Sequence, residues 1–331
     1  MSLAVSRPHD ACAESAFAGE FLTLGVGARA LAMGGGYGAL SDDATALYWN
    51  PAGLGQVARR TEATFMHSSL FGLDSYDTVN VAKSFGNATW GFQWLRVAVD
   101  EIAITTVSDQ SSPVSSVNRP TEARTESVSS QAFAAGMGRR VAASSGERPR
   151  IEVFVGGAGK ILFLTSGAPR GTNAFGVGGD IGALGVWHPV DSTEVRAAVN
   201  AQDFFRTSLY WNTVPAPNQP SHKDTILQNV KTAVGFVVPV PPGESRLTLH
   251  AESDSRNDFE LHTGAEWFIG NTLALRVGMQ ERKSDAATLR DLTAGAGFRL
   301  GFTGGQSFRV DYAFTGHDLG DSHRLSLGVQ F

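Results

Sequence analysis

The chain has 331 residues, 42% of them hydrophobic and 18% charged, with 27 Lys plus Arg against 32 Asp plus Glu for a net charge of -5. No basic cluster suits a phosphate backbone, which argues against a nucleic-acid partner. No window approaches 18 consecutive apolar residues, which excludes transmembrane helices but not a transmembrane barrel, whose strands need only about 9 to 11 residues each.

Residues 1 to 22 read as a leader remnant or a flexible N-terminus. Arg7, His9, Asp10, Glu14 and Glu20 interrupt the apolar core that a signal peptide needs, so an export signal has been trimmed or miscalled. Cys12 has no partner for an internal disulfide, and His9-Asp-Ala before it lacks the apolar lead-in of a lipid-attachment site.

Residues 23 to 58 are dense in glycine. Gly25-Val-Gly27-Ala-Arg-Ala30 fits a loose nucleotide fingerprint, but no strand-helix-strand unit follows it, so the match is accidental. The segment reads instead as a plug, or hatch, the alternative being an ordinary Gly-rich loop outside the folded wall. Asp42 or Asp43 can cap a short helix through Ala44 to Trp49, and Asn50-Pro51 stops it, because the residue before proline avoids the helical region. Gly34, Gly35, Gly36 and Gly38 allow tight turns and close packing against a wall.

From residue 59 to Phe331 the hydrophobic period is near two, interrupted by Gly, Pro, Asp, Asn and Ser clusters. Trp90, Phe92 and Trp94 alternate with Thr89, Gly91 and Gln93, and Phe133, Ala135 and Met137 with Ala134 and Gly136. The pattern recurs in 64–70, 78–85, 151–164, 175–187, 195–201, 230–238, 247–252, 259–268, 273–279, 292–300, 308–314 and 325–331. This gives about fourteen antiparallel strands and an all-β fold. Gly156-Gly-Ala-Gly-Lys160 lacks the spacing and the Ser/Thr of a P-loop. Residues 100–130, 203–229 and 280–291 read as long polar loops, and Pro215, Pro217, Pro220, Pro239, Pro241 and Pro242 mark further loops.

The face opposite the apolar stripe carries Lys160, Asp180, Arg196, Lys231, Arg246, His250, Glu252, Glu260, His262, Glu266, Arg276, Arg299, Arg309, Asp311 and Arg324, intermixed with glycines. Mixed charge suits a crowded lumen, with the apolar face toward lipid, better than the solvated face of a soluble sandwich, which reads similarly. Arg276, Arg299, Arg309 and Arg324 are expected to pair with acids such as Glu260, Glu266 and Asp311. The last strand presents Leu325, Leu327, Val329 and Phe331 on one face, and a terminal aromatic there suits recognition by a barrel-assembly machine.

The segments "FLTLGVGARALAMGGGYGALSDDATALYWNPAGLG" and "VDYAFTGHDLGDSHRLSLGVQF" resemble the two end signatures of PorV/PorQ-type outer-membrane proteins, a group similar to the FadL transporters. The Gly-Ala-Arg-Ala and Met-Gly-Gly form is closer to PorV than to PorQ. The resemblance implies an outer-membrane β-barrel with a lumenal hatch built on Gly27, Arg29, Met33, Gly34, Gly35, Asp42, Asp43, Tyr48, Trp49, Asn50, Pro51 and Gly53.

Two functions follow from the resemblance. The main one is a type IX secretion-associated barrel that binds or shuttles cargo by its signal domain and presents it to a sortase. The alternative is FadL-like passive transport of long-chain fatty acids or other hydrophobic compounds, with Leu31, Met33, Tyr37, Leu47, Tyr48 and Trp49 as apolar contacts. Catalysis is not expected: His250, Glu252, Glu260 and His262 share one face and could be drawn as an acid/base or metal set, but structural charge pairing accounts for them. No cofactor or metal is expected.

Overall fold

The computed structural model describes residues 19–57, 60–70, 74–144, 150–166, 172–212, 223–256, 259–283, 288–317 and 320–331. The strands are β1 (Thr61–Leu70), β2 (Asp74–Phe85), β3 (Ala88–Thr106), β4 (Thr121–Ala143), β5 (Ile151–Ser166), β6 (Thr172–Trp187), β7 (Glu194–Gln202), β8 (Ser208–Asn212), β9 (Lys223–Thr225), β10 (Asn229–Pro239), β11 (Arg246–Asp254), β12 (Glu260–Ile269), β13 (Leu273–Lys283), β14 (Thr288–Gly301), β15 (Ser307–Gly316) and β16 (Ser322–Gln330). All pair antiparallel, and β1 joins β16 with Phe65 opposite Leu327. β8 and β9 are short additions beside β6, so the wall is a closed barrel of fourteen strands.

Among the described residues each of the fourteen wall strands pairs on both sides, and period-two alternation sends one side chain out and the next in. Trp90 (53% exposed), Phe163 (44%) and Leu327 (39%) point outward, while Leu95, Leu162 and Met66 are buried inward. An apolar outer belt on a hydrogen-bonded barrel is the structure that a bilayer accepts.

Several of the polar segments read as loops are strand. β3 runs to Thr106 and β4 starts at Thr121, so 100–130 is mostly an extended hairpin. It escapes a period-two reading because both of its faces are exposed and need no apolar side. Within 280–291, β13 reaches Lys283 and β14 begins at Thr288. Pro239 is the last residue of β10, a strand end where a missing N–H is tolerated. Pro215, Pro217 and Pro220, like Cys12 and residues 1–18, lie outside the described residues.

One wall strand is interrupted. β6 pairs with β7 through Ile181 to Trp187 and with β8 through Asn173 to Val177. Between them, Asp203 and Arg206 take left-handed conformations (φ 52° and 57°). Asp203 turns into the lumen against Lys160, 2.9 Å away, and Lys160 also binds Asp180 at 2.9 Å. The Phe204 N–H donates to the Gly179 carbonyl.

A lumenal hatch between two cavities

Residues 19–57 fill the barrel. A 3-10 turn (Glu20–Thr23) leads to the one-turn helices α1 (Ala28–Leu31) and α2 (Ala46–Trp49), and a second 3-10 turn (Pro51–Gln56) leads toward β1. α2 is shorter than expected and starts at Ala46, with Thr45 as N-cap. Asp43 binds ahead of it, its carboxylate accepting from the Thr45 N–H at 2.9 Å and from the Thr45 hydroxyl. Asn50, fully buried, stops the helix in an extended conformation. Its Oδ1 accepts from the Ala52 N–H, and its Nδ2 donates to the carbonyls of Gly38 and Ala183.

Glycines on the wall receive this chain. A Cβ on Gly138 or Gly156 would lie 2.4 Å from the Pro51 carbonyl oxygen, and one on Gly264 2.4 Å from the Met33 oxygen. On the hatch side, a Cβ on Gly34 would meet the Met279 and Thr263 carbonyls at 2.6 and 2.7 Å. Gly35 has more room, its nearest neighbour being 3.7 Å away. Gly27 (φ 84°) precedes α1, and a Cβ on Gly53 would strike Ser41. The wall glycines are missing from the expected hatch set, although Gly136 falls on the small face of the β4 alternation, the signal that could have found them.

The turns of the hatch pair part of its own backbone, and wall side chains satisfy further groups. His250 Nε2 donates to Met33 O (2.8 Å) and His262 Nδ1 to Gly34 O (2.7 Å), while Glu252 accepts from the Gly38 N–H (2.7 Å). Ser326, Thr293, Asn200 and Gln202 bind Ala28, Gly34, Trp49 and Tyr48 in the same way. Met33 is wholly buried, and Trp49 Nε1 donates to Val26 O.

An ionic chain ties hatch to wall below these bonds. Arg29 forms a bidentate pair with Glu266 (3.0 Å on each nitrogen) and reaches Asp42 at 2.9 Å. Glu266 also binds Arg276 (2.7 Å), Arg276 binds Asp311 (2.8 Å), Asp311 binds Arg309 (2.8 Å), and Arg309 returns to Asp43 (3.1 Å). The chain therefore starts and ends on adjacent hatch aspartates. Burial alone would raise the Asp42 carboxyl, but Arg29 and then Arg196 outweigh it and hold the group down at about 2.

The expected lumen residues face inward, and among the described residues two of the four named arginines pair with acids. Arg276 and Arg309 join the ionic chain, whereas Arg299 lies over the Phe268 ring and near Gln330, and Arg324 donates to Thr315. The register explains this: Arg299 sits opposite Arg309, and Arg324 opposite Ala313. At the seam, Leu325, Leu327 and Val329 face outward, and Phe331 and Thr61 exchange two backbone hydrogen bonds of 2.8 and 2.9 Å.

The hatch separates two cavities. One, of about 210 Å³, lies at the end toward the 107–120 connection; Leu22, Leu24, Leu31, Tyr48 and Trp49 line its hatch side, and Lys231, Arg256, Arg282 and Arg324 are among its wall residues. The other, of about 280 Å³ at the chain-terminal end, is lined by the ionic chain with Arg196, Arg246 and Arg299. Of the apolar contacts expected from the sequence, Leu31, Tyr48 and Trp49 line the first cavity. Met33, Tyr37 and Leu47 are packed away from it.

No family model matches the sequence, and no curated protein matches it. Solved structures do match the fold. The toluene transporter TodX of Pseudomonas putida aligns with TM-score 0.51 and 11% identity over 92% of this chain and 97% of its own. The monoaromatic hydrocarbon channel CymD gives 0.51 and 10% over 93% and 97%. A FadL homologue of Pseudomonas aeruginosa gives 0.51 and 11% over 89% and 95%. At such identity the likeness is one of fold: the chain is a plugged, fourteen-strand, FadL-like barrel.

Proposed function

We propose that this barrel sits in a bacterial outer membrane and passes hydrophobic small molecules across it without catalysis. The observation that carries the reading is the cavity on the hatch at the 107–120 end, where Leu22, Leu24, Leu31, Tyr48 and Trp49 face a polar wall of acids and bases that includes the pairs Lys231–Asp254 and Arg282–Asp291. A compound with an apolar body and a polar end fits that divided lining. The break between β7 and β8, next to Gln202 of the same cavity, is the place we assign to sideways release into the bilayer. The fold likeness to hydrocarbon transporters supports this reading over the type IX one, for which neither the comparisons nor a motif in the described connections offers support. Lipid and the assembly machinery are the expected macromolecular surroundings, and cargo domains and a sortase have no place in this reading.

The test is uptake. Cells that lack their own hydrophobic-compound channels should accumulate a labelled long-chain fatty acid or monoaromatic faster when they express this protein. Trp49→Arg, which places a charge in the cavity, should abolish the gain while the barrel still inserts. Equal uptake with and without the protein, for both classes of compound, would reject the proposal.

A further inference from the structure

Glu260 and His262 stand two residues apart on β12 and so share the lumenal face, while Asp254, at the end of β11, lies directly opposite Glu260 in register. Their ligand atoms all fall within 4.8 Å of one another. The three residues are between 4% and 6% exposed and line the cavity above the hatch. His262 Nδ1 donates to the Gly34 carbonyl at 2.7 Å, which leaves Nε2 as a lone-pair acceptor, and among the described residues that buried nitrogen has no hydrogen-bond partner. Nε2 lies 3.7 Å from Glu260 Oε2, on the side of the acid cluster.

An imidazole fixed through one nitrogen by a backbone carbonyl, with the other bare beside two carboxylates, is the arrangement by which proteins orient a metal-binding histidine. We infer that Asp254, Glu260 and His262 form a binding site for a zinc-type divalent cation at the rim of the cavity. One nitrogen and two carboxylate oxygens suit a borderline cation, and the open side toward the cavity leaves a position for water. The cation would join β11 to β12 and, through His262, hold the hatch bend at Gly34. Lys231 competes with it: its ammonium lies 3.1 Å from Asp254 Oδ2, which a bound ion would have to share or take over. This inference goes beyond the transport reading and is independent of what the barrel carries.

The test uses the full-length protein purified in detergent, stripped with a chelator and titrated with Co²⁺ followed by visible spectroscopy, then with Zn²⁺ by calorimetry. One ion per barrel is expected, with Co²⁺ bands that Zn²⁺ displaces. His262→Gln and Glu260→Gln should each weaken Zn²⁺ binding at least about tenfold, since even outer partners of a metal ligand typically contribute about 10- to 100-fold. His250→Gln, which alters the neighbouring hatch contact and no proposed ligand, should bind as wild type. Lys231→Met should bind more tightly. Retained heat-modifiable migration identifies the variants that still fold. Failure of the wild-type protein to bind Co²⁺ or Zn²⁺, or wild-type affinity in folded His262→Gln, would overturn the inference.

Discussion

At the scale of single residues, the hatch is held by close approach and by charge. Gly34 has φ 80°, and an added Cβ would strike two backbone carbonyls, so neither conformation nor space admits a larger side chain. Gly34→Val should therefore cost about 1 to 3 kcal/mol of hatch docking. It should also speed proteolysis of residues 25–56 more than Gly35→Val, which meets only the penalty of a left-handed backbone; equal cleavage of the two variants would contradict this packing. Asp42 gives a pH dependence. Its carboxyl is held at about 2 against an ordinary 3.8, so its contribution is fully present above about pH 4 and lost as pH falls toward 2. Pepsin digestion should accelerate across that interval in wild type, and Asp42→Asn should flatten the rise.

At the scale of elements, Trp90, Phe92 and Trp94 made β3 legible because an exposed apolar outer face on one side and the lumen on the other force a strict alternation. The same strand beyond Asp100 was not legible, since its outer half has no buried face. Strand faces followed from period; partners did not. That Arg324 meets Thr315 rather than an acid depends on which residues β15 places beside it, a matter of register and not of pattern. The hatch was legible from its glycines and from Asn50-Pro51, but the wall glycines that receive it, such as Gly138 on β4, Gly156 on β5 and Gly264 on β12, are far away in sequence, and only the fold brings them together. The last strand carries its own prediction. Phe331 supplies the final rung to Thr61, and the outward row ends on its ring. Deleting Phe331 should lower the yield of heat-modifiable barrel several-fold, while Phe331→Tyr keeps the rung and the aromatic; equal yields for deletion and wild type would remove its role in closure.

At the scale of the whole molecule, a hydrogen-bonded wall encloses a plug whose backbone is paired partly within its own turns and partly by wall side chains. The ionic chain from Asp42 to Asp43 closes one side of that plug, and the aromatic pair Tyr48–Trp49, with ring centroids 4.8 Å apart, closes the other. In the proposed transport, passage of a solute requires the hatch to shift or the wall to part at the β7–β8 break, and the cavity above the hatch is the first stop for a solute entering from the 107–120 end. The most direct measurement is photolabelling: a photoreactive long-chain fatty acid is given to cells from outside, the barrel is purified, and the labelled peptides are identified. The account predicts label on Leu22 to Leu24 and on Tyr48 and Trp49, competed by unlabelled compound. Label confined to the lipid-facing belt, such as Trp90 and Phe163, with none on the hatch, would contradict it.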